Sequence, residues 1–123
     1  MAQVRGSASV TAMLLVLCIL LHYKIAVAAK YTVGDDAGWH FNIQSWPTGK
    51  KFLANDTLVF NYSTGSHSVV VVDENGFTTC TASGQIFTSG KDEIKLKKGM
   101  NYFICGVGRH CADHGMKMAI SAA

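Results

Sequence analysis

The sequence predicts an all-β domain, an antiparallel Greek-key sandwich or barrel. Short runs rich in β-branched and aromatic residues recur at regular spacing, with glycine-rich turns between them. Beyond the N-terminal apolar segment no long stretch holds a helical period. No heptad pattern, internal repeat or phosphate-binding glycine loop competes with that reading.

Residues 1–28 stand apart. Arg5 supplies a positive start, Val10 to Leu21 is nearly all apolar, and Ala26-Val27-Ala28 offers the small residues a signal peptidase reads. The apolar run is shorter than the ~20 residues that span a bilayer, and His22 and Lys24 end it. A secretory signal is therefore expected, cleaved after Ala28 (or, as the second choice, after Ala29), leaving 29–123 as one domain. Arg5 and Lys24 leave with it, so the formal charge falls from +3 to +1. The remaining lysines are scattered, with no basic stripe interleaved with aromatics, which excludes a nucleic-acid reader. Ala119 to Ala123 lacks the hydrophobic tail of a lipid-anchored precursor, so a mature form without a membrane anchor is expected.

The domain reads in order as follows. Lys30 to Val33 alternates as a first strand and is ended by Gly34-Asp35-Asp36-Ala37-Gly38. Trp39 to Trp46 fits neither period and is expected to pack irregularly over one end of the barrel. Pro47 to Lys50 is a turn. Thr57 to Tyr62 is a strand with Leu58 and Phe60 on one face. Ser63 to Ser66 turns the chain into Ser68 to Asp73, a valine-rich strand expected to be buried on both faces. Asn75-Gly76 reads as a turn, and Phe77 to Ser83 as a short helix or irregular. Ile86 to Gly90 is a brief strand. Asp92 to Lys97 alternates, with Ile94 and Leu96 inward. Lys98-Gly99 turns into the last pair of strands, Tyr102 to Ile104 and Met116 to Ile120. Asn55-Asp-Thr57 and Asn61-Tyr-Ser63 are glycosylation sequons, Asn55 at a turn and Asn61 at a strand end.

Between the last two strands the chemistry concentrates. Cys105, His110, Cys111, His114 and Met116 fall within twelve residues. Thiolate and thioether are soft ligands and imidazole is borderline, and two His with one Cys and a weak axial Met describe a blue-copper centre. Zinc would take four strong ligands and gains little from a thioether. The second strong imidazole must come from elsewhere, and His67, just before the valine strand, is the candidate. Cys18 leaves with the signal, so Cys80, Cys105 and Cys111 remain, an odd number in an oxidising compartment. If Cys105 binds metal, Cys80 and Cys111 are left to pair. The rival bridge, Cys105 to Cys111, would destroy the centre.

Taken together, these residues resemble the phytocyanins, plant blue-copper proteins, and among them the plantacyanin (basic blue) type. The marks are Tyr31-Thr-Val-Gly34, Gly38-Trp39, Ser45-Trp46-Pro47, Gly49-Lys50, Val59-Phe60-Asn61-Tyr62, His67 before four valines, Phe77-Thr-Thr-Cys80, Thr88-Ser89-Gly90, Asn101-Tyr-Phe-Ile-Cys105, His110-Cys111 and Gly115-Met116-Lys117. The resemblance implies a cupredoxin-like fold and one type I copper held by His67, Cys105, His110 and Met116. It also implies a Cys80–Cys111 disulfide. This chain carries one residue more between His110 and Met116 than the family pattern, and Gly106 to Arg109 replaces a common proline. His114 thereby becomes a rival to Met116 on the copper axis. Met116 is the expected ligand because the strand after it fixes its place.

The implied activity is electron carriage by outer-sphere transfer in the extracellular space or cell-wall matrix, as a monomer, with a small or protein redox partner. No acid, base or nucleophile set suggests an enzyme. The alternative is a cell-surface signalling or interaction protein of plant reproductive tissue in which copper redox is secondary.

Overall fold

The computed structural model describes residues 10–15 and 27–123. Most of the expected signal segment lies outside the described residues. Within it, residues 10–15 are helical and exposed. Among the described residues no helix is long and apolar enough to cross a membrane.

Among the described residues seven strands form two sheets. One holds β1 (Lys30–Thr32), β2 (Thr57–Asn61) and β5 (Lys91–Lys95), in the order β1-β2-β5. The other holds β4 (Gln85–Phe87), β3 (Val69–Val72), β6 (Gly99–Ile104) and β7 (Lys117–Ala122), in the order β4-β3-β6-β7. Thus β2 pairs with β5, not with its chain neighbour β3, and the chain changes sheet between them. All ladders are antiparallel except β1 with β2, where Tyr31 lies opposite Leu58 in parallel register. Among the described residues from 27 onward, two short α-helices, α1 (Glu74–Thr79) and α2 (His110–His114), and two 3-10 turns, Asp35–Ala37 and Ile43–Ser45, accompany the sheets.

The core lies where the inner faces meet. Leu58 and Phe60 of β2 are fully buried, as their alternation requires, together with Val69, Phe103, Met118 and Ile120 of the other sheet. Phe60 sits at the centre, 5.1 Å edge-on from Trp39 and 5.2 Å from Phe103 between ring centroids. Burying a side chain of this size contributes roughly 1.5–3 kcal/mol, so this aromatic chain is a main tie between the sheets. Trp39 also donates from its indole nitrogen to the Ser68 carbonyl at 3.0 Å. Both tryptophans therefore pack, as expected, with Trp46 lying half-buried against Phe52.

Several local readings change. Asn75 and Gly76 lie inside α1 and do not form a turn between strands. Asp73 caps this helix: its carboxylate accepts from the Gly76 N–H at 2.8 Å, satisfying a donor the first turn leaves free. The valine strand is buried on both faces only in its first half, where Val69 and Val70 are inaccessible. Val71 and Val72 are partly exposed. Past β3 the outer face carries α1, and Val70, Ile104 and Cys111 form a second small cluster with Phe77 against it.

Two buried carboxylates hold the ends of elements. Asp56 is 1% exposed and accepts from the Ala29 N–H and the Leu53 N–H, each at 2.8 Å. It thereby ties the start of β1 to the start of β2. Asp92 accepts from the hydroxyl of Tyr62, and from the N–H and hydroxyl of Ser89 at 3.1 and 2.5 Å. Burial first, then the bond to Asp92, push the Tyr62 hydroxyl from 10.0 up to about 12. The folded state therefore favours neutral Tyr62. This contribution to stability is complete below pH 10.0 and is lost as pH rises through about 12. Thermal melts across that window should show a shallower alkaline fall for Tyr62→Phe than for the native protein; parallel curves would remove Tyr62 from the account.

Candidate metal centre

Three donors converge at one end of the sandwich. His67 leaves the Ser63–Ser66 turn just before β3. Cys105 follows the last residue of β6, and His110 opens α2. Their Nδ1, Sγ and Nδ1 atoms all lie within 4.8 Å of one another. His67 Nδ1 is 3.1 Å from His110 Nδ1, and Cys105 Sγ is 3.9 and 3.6 Å from those nitrogens. Cys105 is 2% exposed, while the two imidazoles are half-buried.

The backbone around each donor explains the convergence. Ser68, next to His67, is buried, and its hydroxyl accepts from the N–H of Gly106, next to Cys105, at 2.9 Å. One hydrogen bond thus holds the neighbours of two donors together. Gly106 permits that approach, since a Cβ there would stand 2.9 Å from Val70 Cγ2 and 3.1 Å from Ser68 Oγ. Met116 is fully buried in the same core cluster as Cys105. Its carbonyl accepts from the Cys105 N–H at 2.9 Å and its N–H donates to the His110 carbonyl at 3.1 Å. Met116 therefore touches both neighbouring donors through its own backbone.

The extra residue between His110 and Met116 does not bulge outward as a loop. It is taken up by the single turn of α2, which Arg109 and Asp113 clasp on the outside with contacts of 2.7 and 2.9 Å. Gly115 ends the turn in the left-handed region, at φ 56°. The His114 ring lies 6.4 Å from that of His110, between centroids. It is exposed and stacks on Phe41, at 4.3 Å between centroids and 16° between planes. Phe41 in turn meets His110 edge-on at 4.9 Å and His67 at 5.6 Å. Neither Phe41 nor Ser68 was singled out by the sequence reading. Ser68 could have been suspected from its place beside His67. Phe41, in the irregular segment, carries no local signal.

The donor set fits a soft or borderline metal ion. Bonds of about 2.0–2.3 Å to imidazole nitrogen and thiolate sulfur separate neighbouring donors by roughly 3–4 Å, and the observed spacings of 3.1, 3.6 and 3.9 Å lie in that range. Two imidazoles turning Nδ1 toward the same point as a thiol are better satisfied by a shared cation than by one bridging proton. Burial first, then the electrostatic influence of the neighbouring His110 and His40, lower the pKa of His67. That favours the neutral ring, the form that donates a lone pair to a metal.

Cys80 and Cys111 are bonded, and Cys105 is the free cysteine among the described residues. The rival Cys105–Cys111 bridge is not formed. The disulfide joins the end of α1 to the residue after His110, so it restrains α2 from outside.

A two-sheet β fold closing over a His-Cys-His set with a buried Met alongside defines a small cupredoxin with a type I centre. A family described as the plastocyanin-like domain matches residues 27–116. The chain is 52% identical over 96 residues to the basic blue protein of Cucumis sativus, covering 76% of this chain and 99% of that one. It is 46% identical to the chemocyanin of Lilium longiflorum over 127 residues, covering all of both. The solved structure of cucumber basic protein, a blue copper protein, superposes with a TM-score of 0.74, covering 77% of this chain and all of that one. The chain belongs to the phytocyanins within the plastocyanin-like family, and is of the plantacyanin type.

The disulfide closes a segment of sequence separation 31. By chain entropy such a bridge contributes roughly 3–4 kcal/mol. Replacing Cys80 and Cys111 together by Ser should lower the denaturant midpoint by the equivalent of that energy, while thiol titration of the native metal-free domain should count Cys105 alone.

Proposed function

We propose that this chain is a secreted blue-copper electron carrier, with His67, Cys105 and His110 as the strong ligands and Met116 as the weak axial one. The observation that carries the reading is the convergence of one buried thiol and two Nδ1 atoms at 3.1, 3.6 and 3.9 Å. Copper would supply a one-electron couple there. The chain's own part is to hold the donors alike in both oxidation states. The Ser68–Gly106 bond, the Met116 backbone contacts and the disulfide all resist rearrangement of the ligand loop. The half-buried imidazoles leave a ring edge close enough to the surface for outer-sphere exchange with a small molecule or a protein. Burial favours Met116 over His114 on the axis, since Met116 is fully enclosed and His114 is spent on Phe41.

The reading includes cleavage after Ala28, release into the cell-wall space, and a monomer. Asn55 is exposed, with its backbone in the left-handed turn region at φ 74°, and suits a glycan. Asn61 is the less open of the two, being half-buried in β2 with its carbonyl bonded to the Trp39 N–H.

Copper(II) titration should end at one ion per chain and produce an intense thiolate-to-copper band in the visible. Cys105→Ser should abolish that band, and a blue Cys105→Ser protein would refute the ligand set. For the axial position, Met116→Gln should lower the reduction potential markedly, because amide oxygen is a harder donor that favours copper(II). His114→Ala should move it far less. The reverse order, measured by voltammetry, would transfer the axial role to His114.

A further inference from the structure

We infer that Phe41 and His114 act as paired positioning residues, forming an aromatic cover over the two imidazoles of the centre; the inference rests on the copper reading above. Phe41 bridges His67 and His110 edge-on, at 5.6 and 4.9 Å, with interplanar angles of 71° and 74°. Edge-to-face contacts of this kind are attractive and directional, so one benzene ring restrains the rotation of both imidazoles. Phe41 is itself 37% exposed, and a ring so placed needs its own support. His114 provides it, lying almost parallel at 4.3 Å and 16°.

The backbone holds the stack in register. The Asn42 N–H donates to the His114 carbonyl at 2.8 Å, tying the residue after Phe41 to the residue that stacks on it. Gly115 lets the end of α2 sit close against the same segment. A Cβ there would stand 3.0 Å from Gln44 Nε2 and 3.2 Å from Asn42 Oδ1, in a backbone region that already disfavours side chains. The stretch before Met116 is a helical turn whose last side chain leans on Phe41.

The cover does two things. It keeps both Nδ1 atoms aimed at the Cys105 thiol, and it shields that thiol from water and reagents arriving past the imidazoles. Opening it costs one aromatic contact, which corresponds to about a two- to tenfold change in the open fraction.

The test uses the metal-free protein, so it is independent of the colour of the loaded form. The rate of alkylation of Cys105 by iodoacetamide is followed by peptide mass, counting only the peptide that contains Cys105. His114→Ala, an exposed substitution with little risk to folding, should raise that rate by about two- to tenfold, while the melt stays cooperative and its midpoint falls only slightly. Phe41→Ala should raise it at least as much. His114→Phe should restore the native rate, because it keeps the stack. Unchanged labelling in His114→Ala, or a His114→Phe protein that labels as fast as His114→Ala, would overturn the cover. If Phe41→Ala melts early, the His114 pair alone decides. A blue band missing from the copper-loaded native protein would count against the ligand set and leave this result standing.

Discussion

The pairing of Cys105 with Met116 is the contact on which the centre depends. It extends the β6–β7 ladder by one step beyond Ile104 opposite Lys117. Because the ladder is long and regular, the place of Cys105 relative to Met116 is set by the sheet, not by the loop between them. Insertions in that loop can then be absorbed without moving either residue. The extra residue of this chain is such a case, coiled into α2 between two fixed ends. Ser68 extends the same logic to the third strand, since its bond to Gly106 ties the end of β6 to the beginning of β3. All the proposed ligands except His110 are thus placed by strands, and His110 is placed by a helical turn braced through the disulfide.

Much of the fold could be read from the chain because its cause is local. Ile94 and Leu96 alternate with charged neighbours, and Leu58 and Phe60 share one face of a run rich in strand formers, so their strands and inward faces follow from period. The donor residues were legible for a different reason. Thiol, imidazole and thioether crowded into one short stretch have few other uses. What escaped was non-local or ambiguous. Asn75-Gly76 is a turn signal in isolation, and only the Asp73 carboxylate bonded to Gly76 turns it into the start of a helix. The parallel register of β1 on β2 leaves no mark in composition, because its residues look the same in either direction. Phe41 lies in a segment without period, and its contact with His67 and His110 exists only once distant parts of the chain have met.

That last contact alters how the outer side of the site is understood. A loop histidine beside a metal centre reads first as a rival ligand or a solvated side chain. Here exposure and ring stacking coexist in His114. A flat, partly apolar ring can support a neighbour from the water side while keeping its own polar nitrogens hydrated. Exposure is therefore a poor guide to idleness in aromatic residues near a site.

The bond from the Ala29 nitrogen to Asp56 has a consequence of a different kind. In the uncut chain that nitrogen is a neutral amide, and Asp56 is a buried carboxylate held by two N–H groups, with no ion pair to a cationic side chain among the described residues. If the chain is cut after Ala28, as proposed, the same nitrogen becomes an ammonium. The contact, already charge-assisted through the carboxylate, becomes an ion pair, and the carboxylate acquires its counter-ion. A secretory leader is removed before the domain folds, so the mature chain would fold with its own first charge available to fasten the start of β1 to the start of β2.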